Sequence, residues 1–221
     1  MNWKTYAGAG AFVVLLIGGW FLLADPGEKE FKQMQQTLEH VRSWKITTQI
    51  SQRGMLAVQR AHEAICPDQE HIMESAVSTG GAEYIRLKDD VYYRKNNQAW
   101  VRGMPGPDLF FPYPTPRPCL SDPGQSSSQP GGGAEEMRLI LQHDMDNGTI
   151  EKGELEQVGG ASCREWKVLV TTAQNTMGSY NICIGEQDHL PRRIQSLNQD
   201  FTIRFEWNVP VTVQAPDMNT P

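Results

Sequence analysis

The chain is informative first for the functional signatures that its sequence lacks. It contains no CxxC pair, which argues against a zinc knuckle or a thioredoxin-like motif. It also contains no GxSxG sequence, the nucleophile motif of serine hydrolases, and no phosphate-binding loop of the kind that holds nucleotides. We therefore expect a chain that is not an enzyme, with no catalytic residues, no cofactor and no metal site.

A basic surface is equally absent. The chain carries 26 acidic and 20 basic residues, for a formal net charge of −6. Because contacts of Lys and Arg with phosphates supply most of the affinity for nucleic acids, an acidic chain without a basic stripe is a poor nucleic-acid binder. Attachment to anionic lipid headgroups by charge alone is disfavoured on the same ground.

Two segments come close to metal-binding motifs without completing them. His62-Glu63 opens a pattern like HExxH, but Cys66 stands where the second histidine belongs. A calcium-like loop begins at Asp144, but its glycine arrives one residue early and position 12 is Leu155 instead of glutamate. We interpret both as structural, and we expect the five scattered histidines to be solvated or to lie on strand faces.

Long apolar runs are missing too, with one exception at residues 7–24. This segment has 18 uncharged residues, which is enough to cross a bilayer core of about 30 Å. It predicts a transmembrane signal anchor, with residues 1–6 as a short cytoplasmic head and residues 25–221 as one extracytoplasmic domain. The alternative is a cleaved signal peptide, but the apolar core is long and Leu22 occupies a position where a small residue is expected.

The four cysteines favour an oxidising compartment. They are even in number and widely spaced, which is typical of two structural disulfides, although the sequence alone allows three pairings. Free thiols in a reducing cytosol are the alternative. The residues concerned are Cys66, Cys119, Cys163 and Cys183.

One pairing is favoured by a predicted hairpin. The segments on either side of residues 173–177 have the pattern of two strands, and a register in which residue numbers sum to 346 places Cys163 opposite Cys183. Facing Cβ atoms in an antiparallel pair lie about 4.5–5.5 Å apart, which is close enough for a disulfide after modest adjustment. Cys66 and Cys119 then form the second disulfide by elimination.

The remaining chain reads as a helix, a run of strands, a loop with a second helix, and more strands. Apolar residues recur at helical spacing in Glu28–Arg42 and in Ala134–Asp146, whereas period-two alternation begins at Trp44. Asp89-Asp90 and Asn96-Asn97 are predicted to form tight turns. The predicted strands are Trp44–Ser51, Met55–Cys66, Glu70–Ser78, Ala82–Lys88, Val91–Lys95, Gln98–Arg102, Thr149–Val158, Ser162–Thr172, Gly178–Gly185, Leu190–Ser196, Asp200–Trp207 and Pro210–Gln214.

A Pro- and Gly-rich insertion separates the two runs of strands. Residues 104–133 hold eight of the fourteen prolines, so they cannot lie inside a sheet. Their aromatic residues Phe110, Phe111 and Tyr113 predict a lid or a partner-binding loop. A packed crossover loop fixed by Cys119 is the alternative interpretation.

Two segments of this sequence resemble the lipoprotein-localisation-factor superfamily (LolA/LolB/LppX-like proteins). The first is Glu83–Trp100 (EYIRLKDDVYYRKNNQAW), with an acidic turn, a Val-Tyr-Tyr strand, a polar turn and a tryptophan. The second is His189–Arg193 (HLPRR), followed by a Phe- and Trp-rich strand and the Trp207–Val211 motif WNVPV. The resemblance extends over most of Glu28–Pro216.

The resemblance implies an α+β fold: a strongly curved antiparallel half-barrel of about 11 strands, with plugging helices and an apolar concavity that receives acyl chains. The two predicted helices would supply the plug. Burial of methylene groups, at about 0.8 kcal/mol each, would drive binding. The cavity or plug residues would be Phe31, Met34, Leu38, Met137, Ile140, Leu141 and Met145.

This chain departs from the family in being tethered and in lacking a lipobox cysteine. We therefore expect a carrier or sensor module in the periplasm that binds lipid or lipoprotein acyl chains and is held in the bacterial inner membrane by residues 7–24. An envelope protein is the second expected partner. The alternative function is a non-enzymatic interaction or scaffold subunit of a cell-envelope or secretion complex.

Overall fold

The computed structural model of the protein describes residues 26–66, 68–78, 80–103, 148–170 and 179–218. The predicted anchor, the Pro-rich insertion with its aromatic residues, Cys119 and the second predicted helix lie outside these ranges. In the described parts of the chain, no helix is both long and apolar enough to span a membrane. The anchor at residues 7–24 therefore stays a prediction.

One helix and eleven strands are described. The helix, α1 (Pro26–Leu38), precedes a single sheet. Its strands are β1 (Ser43–Gln52), β2 (Met55–Ile65), β3 (Gln69–Ala76), β4 (Gly80–Leu87), β5 (Asp90–Lys95), β6 (Val101–Arg102), β7 (Gly148–Val158), β8 (Ala161–Val170), β9 (Tyr180–Gly185), β10 (Pro191–Ser196) and β11 (Phe201–Trp207).

The sheet consists of two meanders joined by its first and last strands. Its order is β6-β5-β4-β3-β2-β1-β11-β10-β9-β8-β7, and all neighbours are antiparallel. The edge strands β6 and β7 do not pair with each other, so the sheet is open. The predicted α+β class and the unclosed antiparallel sheet of about eleven strands are confirmed.

Backbone torsions explain the tight turns. Arg53-Gly54 and Asn96-Asn97 each have two consecutive positive φ angles, the geometry of two-residue hairpin turns that match the strand twist. The turn predicted at Asp89-Asp90 is displaced by one residue. Lys88 has the positive φ, and Asp90 already begins β5.

Helix α1 is shifted from the predicted Glu28–Arg42. It begins at Pro26, because the fixed φ of proline suits the first helical position, where its missing N–H removes no internal hydrogen bond. It ends at Leu38, and the amides of His40 and Val41 then donate to the carbonyls of Thr37 and Leu38 in a tight closing turn. This turn directs the chain into β1.

The segment Pro210–Gln214 is not a strand, contrary to the prediction. Both sides of β11 are already occupied by β1 and β10, so no free edge lies beside the end of β11. Val211 and Val213 instead pack with Ile85 and Trp100, in a second apolar cluster on the face of the sheet opposite α1. The alternation of apolar residues in this segment therefore reflects the packing of one of its sides against the sheet, and not hydrogen bonding to a neighbouring strand.

The predicted disulfide Cys163–Cys183 is confirmed, with Cα atoms 5.5 Å apart. Its predicted register is wrong by two residues, since Cys163 faces Gly185 and Cys183 faces Glu165. A shift of two leaves every side chain on the same face, so the apolar pattern cannot distinguish the two registers. Cys66 is also disulfide-bonded, and its assignment to Cys119 remains a prediction.

Replacing both Cys163 and Cys183 with alanine is expected to lower the free energy of unfolding by about 3 kcal/mol, because a closed loop of this length restricts the unfolded chain. Urea unfolding of the full chain in a mild detergent measures the change. An unaltered midpoint would contradict the expected contribution of this disulfide to stability.

Candidate ligand-binding site on the inner face of the sheet

The face of the sheet that α1 covers, called here the inner face, has two halves of different chemistry. Strand alternation and register place every second side chain on it, beginning with Trp44 and Ile46 of β1. Strands β1 and β8–β11 supply an apolar half. Strands β2–β4 supply a polar half.

The apolar half is a continuous buried cluster. Helix α1 inserts Phe31, Met34 and Leu38 into it, which places these three predicted plug residues in the core. Their role as cavity residues remains a prediction, and Met137, Ile140, Leu141 and Met145 lie outside the described ranges. The sheet residues of the cluster are Trp44, Ile46, Ala64, Trp166, Val168, Tyr180, Ile182, Ile184, Ile194, Ile203, Phe205 and Trp207.

One end of the sheet, called here the lower end, is connected to helix α1 and contacts it. The chain passes from the helix through residues 39–42 to Ser43, where β1 starts, and Glu30 accepts a hydrogen bond at 2.8 Å from Nδ1 of His189 in the β9–β10 turn. Antiparallel pairing puts the start of β1 and this turn at the same end of the sheet. Among the contacts of the described residues, its apolar stripe and the partly exposed hydrogen bond between Glu30 and His189 hold the helix on the sheet.

The opposite, upper end carries exposed aliphatic side chains. Val77 in the β3–β4 turn is 85% exposed and Met55 after the β1–β2 turn is 71% exposed. Leu56 and, in the β10–β11 turn, Leu197 are also exposed. These exposed aliphatic residues lie at or beside three turns of one end and give that end an apolar rim.

The polar half contains a buried cross-strand ion pair. Arg60 of β2 lies opposite Glu74 of β3, and Nη2 of the guanidinium is 2.5 Å from Oε2 of the carboxylate. Arg60 is only 3% exposed. Burying a guanidinium costs several kcal/mol unless it is paired, so this pair constrains how β2 and β3 pack.

A second charged group lies beside it. Glu70 of β3 is 3.1 Å from the guanidinium of Arg86 on β4 and 3.2 Å from Nε2 of His62 on β2. The His62 ring is fully buried and meets the Trp44 indole edge-on, with centroids 5.6 Å apart. The charged network of the polar half therefore borders the apolar cluster directly.

The sequence pattern alone does not reveal this network. His62 stands in a partial metal motif, but alternation separates His62 on the inner face from Glu63 on the outer face, where Glu63 contacts Lys45 at 2.9 Å and raises the pKa of Lys45. Cys66 is disulfide-bonded and is not a ligand. The missed signal is cross-strand charge complementarity, which becomes visible only when the register is known.

Comparison with solved structures identifies the fold. Lipoprotein LppX of Mycobacterium tuberculosis superposes with a TM-score of 0.52 at 11% identity, over 86% of this chain and 100% of LppX. LprF of Mycobacterium bovis gives 0.48 at 11% identity over 85% and 95% of the two chains. MucB in the MucA/MucB complex of Pseudomonas aeruginosa gives 0.41 at 9% identity, over 85% and 60%.

No family model matches the chain, and no curated protein matches its sequence. At this level of identity, the superposition on LppX establishes a shared fold and not a shared activity. The LolA/LppX-like fold expected from the sequence is confirmed.

Glu74→Ala is expected to lower the free energy of unfolding by about 3 kcal/mol, because it removes the carboxylate facing the buried guanidinium of Arg60. Glu151→Ala removes the same side chain from an exposed pair with Lys167, and we expect a loss below about 1 kcal/mol. Urea unfolding of both full-length variants measures the difference. Equal losses would mean that the Arg60–Glu74 pair is hydrated in solution.

Proposed function

We propose that this chain, which has the LolA/LppX-like fold, is a membrane-anchored, non-enzymatic module that binds the acyl chains of a lipid or lipoprotein. The observation that carries the proposal is the apolar half of the inner face, covered among the described residues by one short helix. On an open sheet, an apolar surface covered by a helix can release the helix and bind an acyl chain in its place.

The free energy lost on displacing α1 is similar to the free energy gained on burying an acyl chain. Burial of Phe31, Met34 and Leu38 stabilises the helix-bound form by about 1.5–3 kcal/mol each, or roughly 7 kcal/mol together. A bound acyl chain recovers about 0.8 kcal/mol per buried methylene, so about nine methylenes offset that loss. Acyl chains of membrane lipids are longer than this. Displacement of α1 by one chain is therefore energetically reasonable.

The polar half supports an amphipathic ligand over a plain hydrocarbon. Arg60 and Arg86 lie on the same face as the apolar cluster and next to it. A ligand with apolar chains and a polar group would match both halves, with its polar part toward β2–β4. Charged residues on an inner face would otherwise only weaken a surface for acyl chains.

The proposed location is the bacterial inner membrane, with the domain of residues 25–221 in the periplasm. Residues 7–24 would be the single transmembrane span, and only Asp25 separates them from α1. The disulfide Cys163–Cys183 fits an oxidising compartment. LppX, which shares the fold, carries the name lipoprotein, and we extend an envelope location to this chain on that basis.

A second candidate function is a scaffold subunit that contacts an envelope protein and holds no lipid. The observation in its favour is the completeness of packing, because Ile182, Ile184 and Ile194 have no exposed surface under α1. A permanently filled inner face would leave the rim or the insertion at residues 104–133 as the contact surface. The two candidates differ in whether α1 moves aside.

The full chain purified in a mild detergent is expected to retain about one lipid per chain, detected by native mass spectrometry and identified after organic extraction. The lipid would replace α1 on the apolar half of the inner face. A control protein that carries residues 1–25 on an unrelated soluble domain accounts for lipid held by the anchor. No lipid above this control, and no uptake of added diacyl lipid, would contradict lipid binding and favour the scaffold function.

Val77→Glu is expected to slow acyl-chain uptake by about tenfold, which corresponds to about 1.4 kcal/mol in the barrier. The reason is that Val77 stands at the upper end, opposite the end where Glu30 contacts His189, and an acyl chain would enter there. The measurement is energy transfer from tryptophan to a pyrene-labelled diacyl lipid, with the full chain held in a lipid-free amphipathic polymer. Met73→Glu is the matched control, since Met73 is exposed on the outer face. Equal rates in both variants would rule out uptake at the upper end.

A further inference from the structure

Two tryptophans of the apolar half have indole N–H groups without an acceptor. Trp44 is 2% exposed and Trp166 is 3% exposed, and neither Nε1 atom has a hydrogen-bond partner among the described residues. Trp207, in the same cluster, is different. Its Nε1 donates to the carbonyl oxygen of Pro191 at 2.5 Å.

A buried donor without an acceptor destabilises a protein, since the hydrogen bond that it makes to water in the unfolded chain is lost. Phenylalanine would fill similar apolar space without this loss. Most buried tryptophans do find an acceptor, as Trp207 does. An indole that remains unsatisfied beneath a displaceable helix suggests that the acceptor arrives with a ligand.

We propose that Trp44 and Trp166 donate hydrogen bonds to carbonyl oxygens of a bound acyl ester. This inference rests on the proposed function and narrows its ligand to lipids that carry ester carbonyls beside their chains. The donors are neutral and buried, so a neutral carbonyl suits them better than the charged carboxylate of a free fatty acid, whose desolvation is costly.

The positions of the two indoles indicate separate carbonyls. Trp44 lies on β1, between Ala64 of β2 and Trp207 of β11, at the border with the polar half. Trp166 lies on β8, opposite Ile182 of β9. Four strand spacings separate β1 from β8, about 19 Å along the sheet before curvature. The two ester carbonyls of one diacyl lipid lie on neighbouring glycerol carbons, much closer together than the two indoles, so at saturation each indole takes the carbonyl of a separate lipid molecule.

The test uses the delipidated full chain, labelled with ¹⁵N at its indoles, in an amphipathic polymer. Two probes are added in turn: a diacyl phosphatidylglycerol and its dialkyl ether analogue with chains of equal length. The ether lacks the carbonyl oxygens and is otherwise matched. We expect the Nε1–H resonances of Trp44 and Trp166 to move downfield with the ester only. The Trp207 resonance should stay in place because its donor is already bonded.

Affinity provides a second readout. We expect the ester to bind about tenfold tighter than the ether, equivalent to about 1.4 kcal/mol. Replacing Trp44 and Trp166 together by phenylalanine should bring the ratio of ester affinity to ether affinity close to one, because phenylalanine keeps an aromatic ring and removes the N–H donor. Trp100→Phe is the matched control, because Trp100 lies in the second apolar cluster on the outer face, and it should leave the ratio unchanged.

The outcomes separate this inference from the proposed function. Equal affinity for ester and ether, with unmoved Trp44 and Trp166 resonances, would overturn the role of the two indoles while leaving lipid binding intact. Stronger binding of palmitate, added as a third probe, than of either the ester or the ether would replace ester recognition with carboxylate recognition. Binding of none of the probes would overturn the proposed function itself. The wild-type resonances decide the matter even where a variant fails to fold.

Discussion

The pairing of β1 with β11 is the constraint on which the rest of the structure depends. These two strands bring the ends of the described fold together and turn two separate meanders into one sheet. Their register places Trp44 against Trp207 and Ile46 against Phe205, so the inner faces of both halves continue without a step. A slip of one residue would turn the apolar side chains of one meander toward solvent. The site on the inner face exists because this register is fixed.

The division of the inner face into apolar and polar halves follows from that pairing. Strands that lie on the β11 side contribute isoleucine, valine and aromatic residues, whereas β2–β4 contribute the pairs Arg60–Glu74 and Glu70–Arg86. Buried ion pairs of this kind add little net stability, since desolvation offsets most of their attraction. Their effect is instead to make one half of the inner face polar, which under the proposed function separates the surface for polar groups from the surface for acyl chains. A uniformly apolar inner face would be more stable and less selective.

Much of the fold could be predicted from the sequence, because strand alternation and helix periodicity are local properties. The stripe of Phe31, Met34 and Leu38 follows from helical spacing, and the disulfide Cys163–Cys183 follows from the hairpin. Properties that depend on how strands pair cannot be predicted from these local patterns. The hairpin register was wrong by two residues because such a shift changes no face, and the inward position of Arg60 required knowledge of its partner on β3. The lack of an acceptor for the indole N–H groups of Trp44 and Trp166 among the described residues leaves no trace in the sequence at all.

In the proposed function, helix α1 and the ligand compete for one surface, and this competition sets the useful range of affinity. A helix with a weaker stripe would leave the empty sheet exposed and prone to aggregation, since a broad apolar surface would face water. A helix with a stronger stripe would exclude acyl chains of ordinary length. Under the proposed function, a helix with three apolar side chains and, among the described residues, a partly exposed contact between Glu30 and His189 lies between these limits. Ester recognition by the indoles of Trp44 and Trp166 would add selectivity without strengthening the binding of the helix. The unsatisfied donors would destabilise the form in which α1 covers the sheet, and a bound ester would satisfy them.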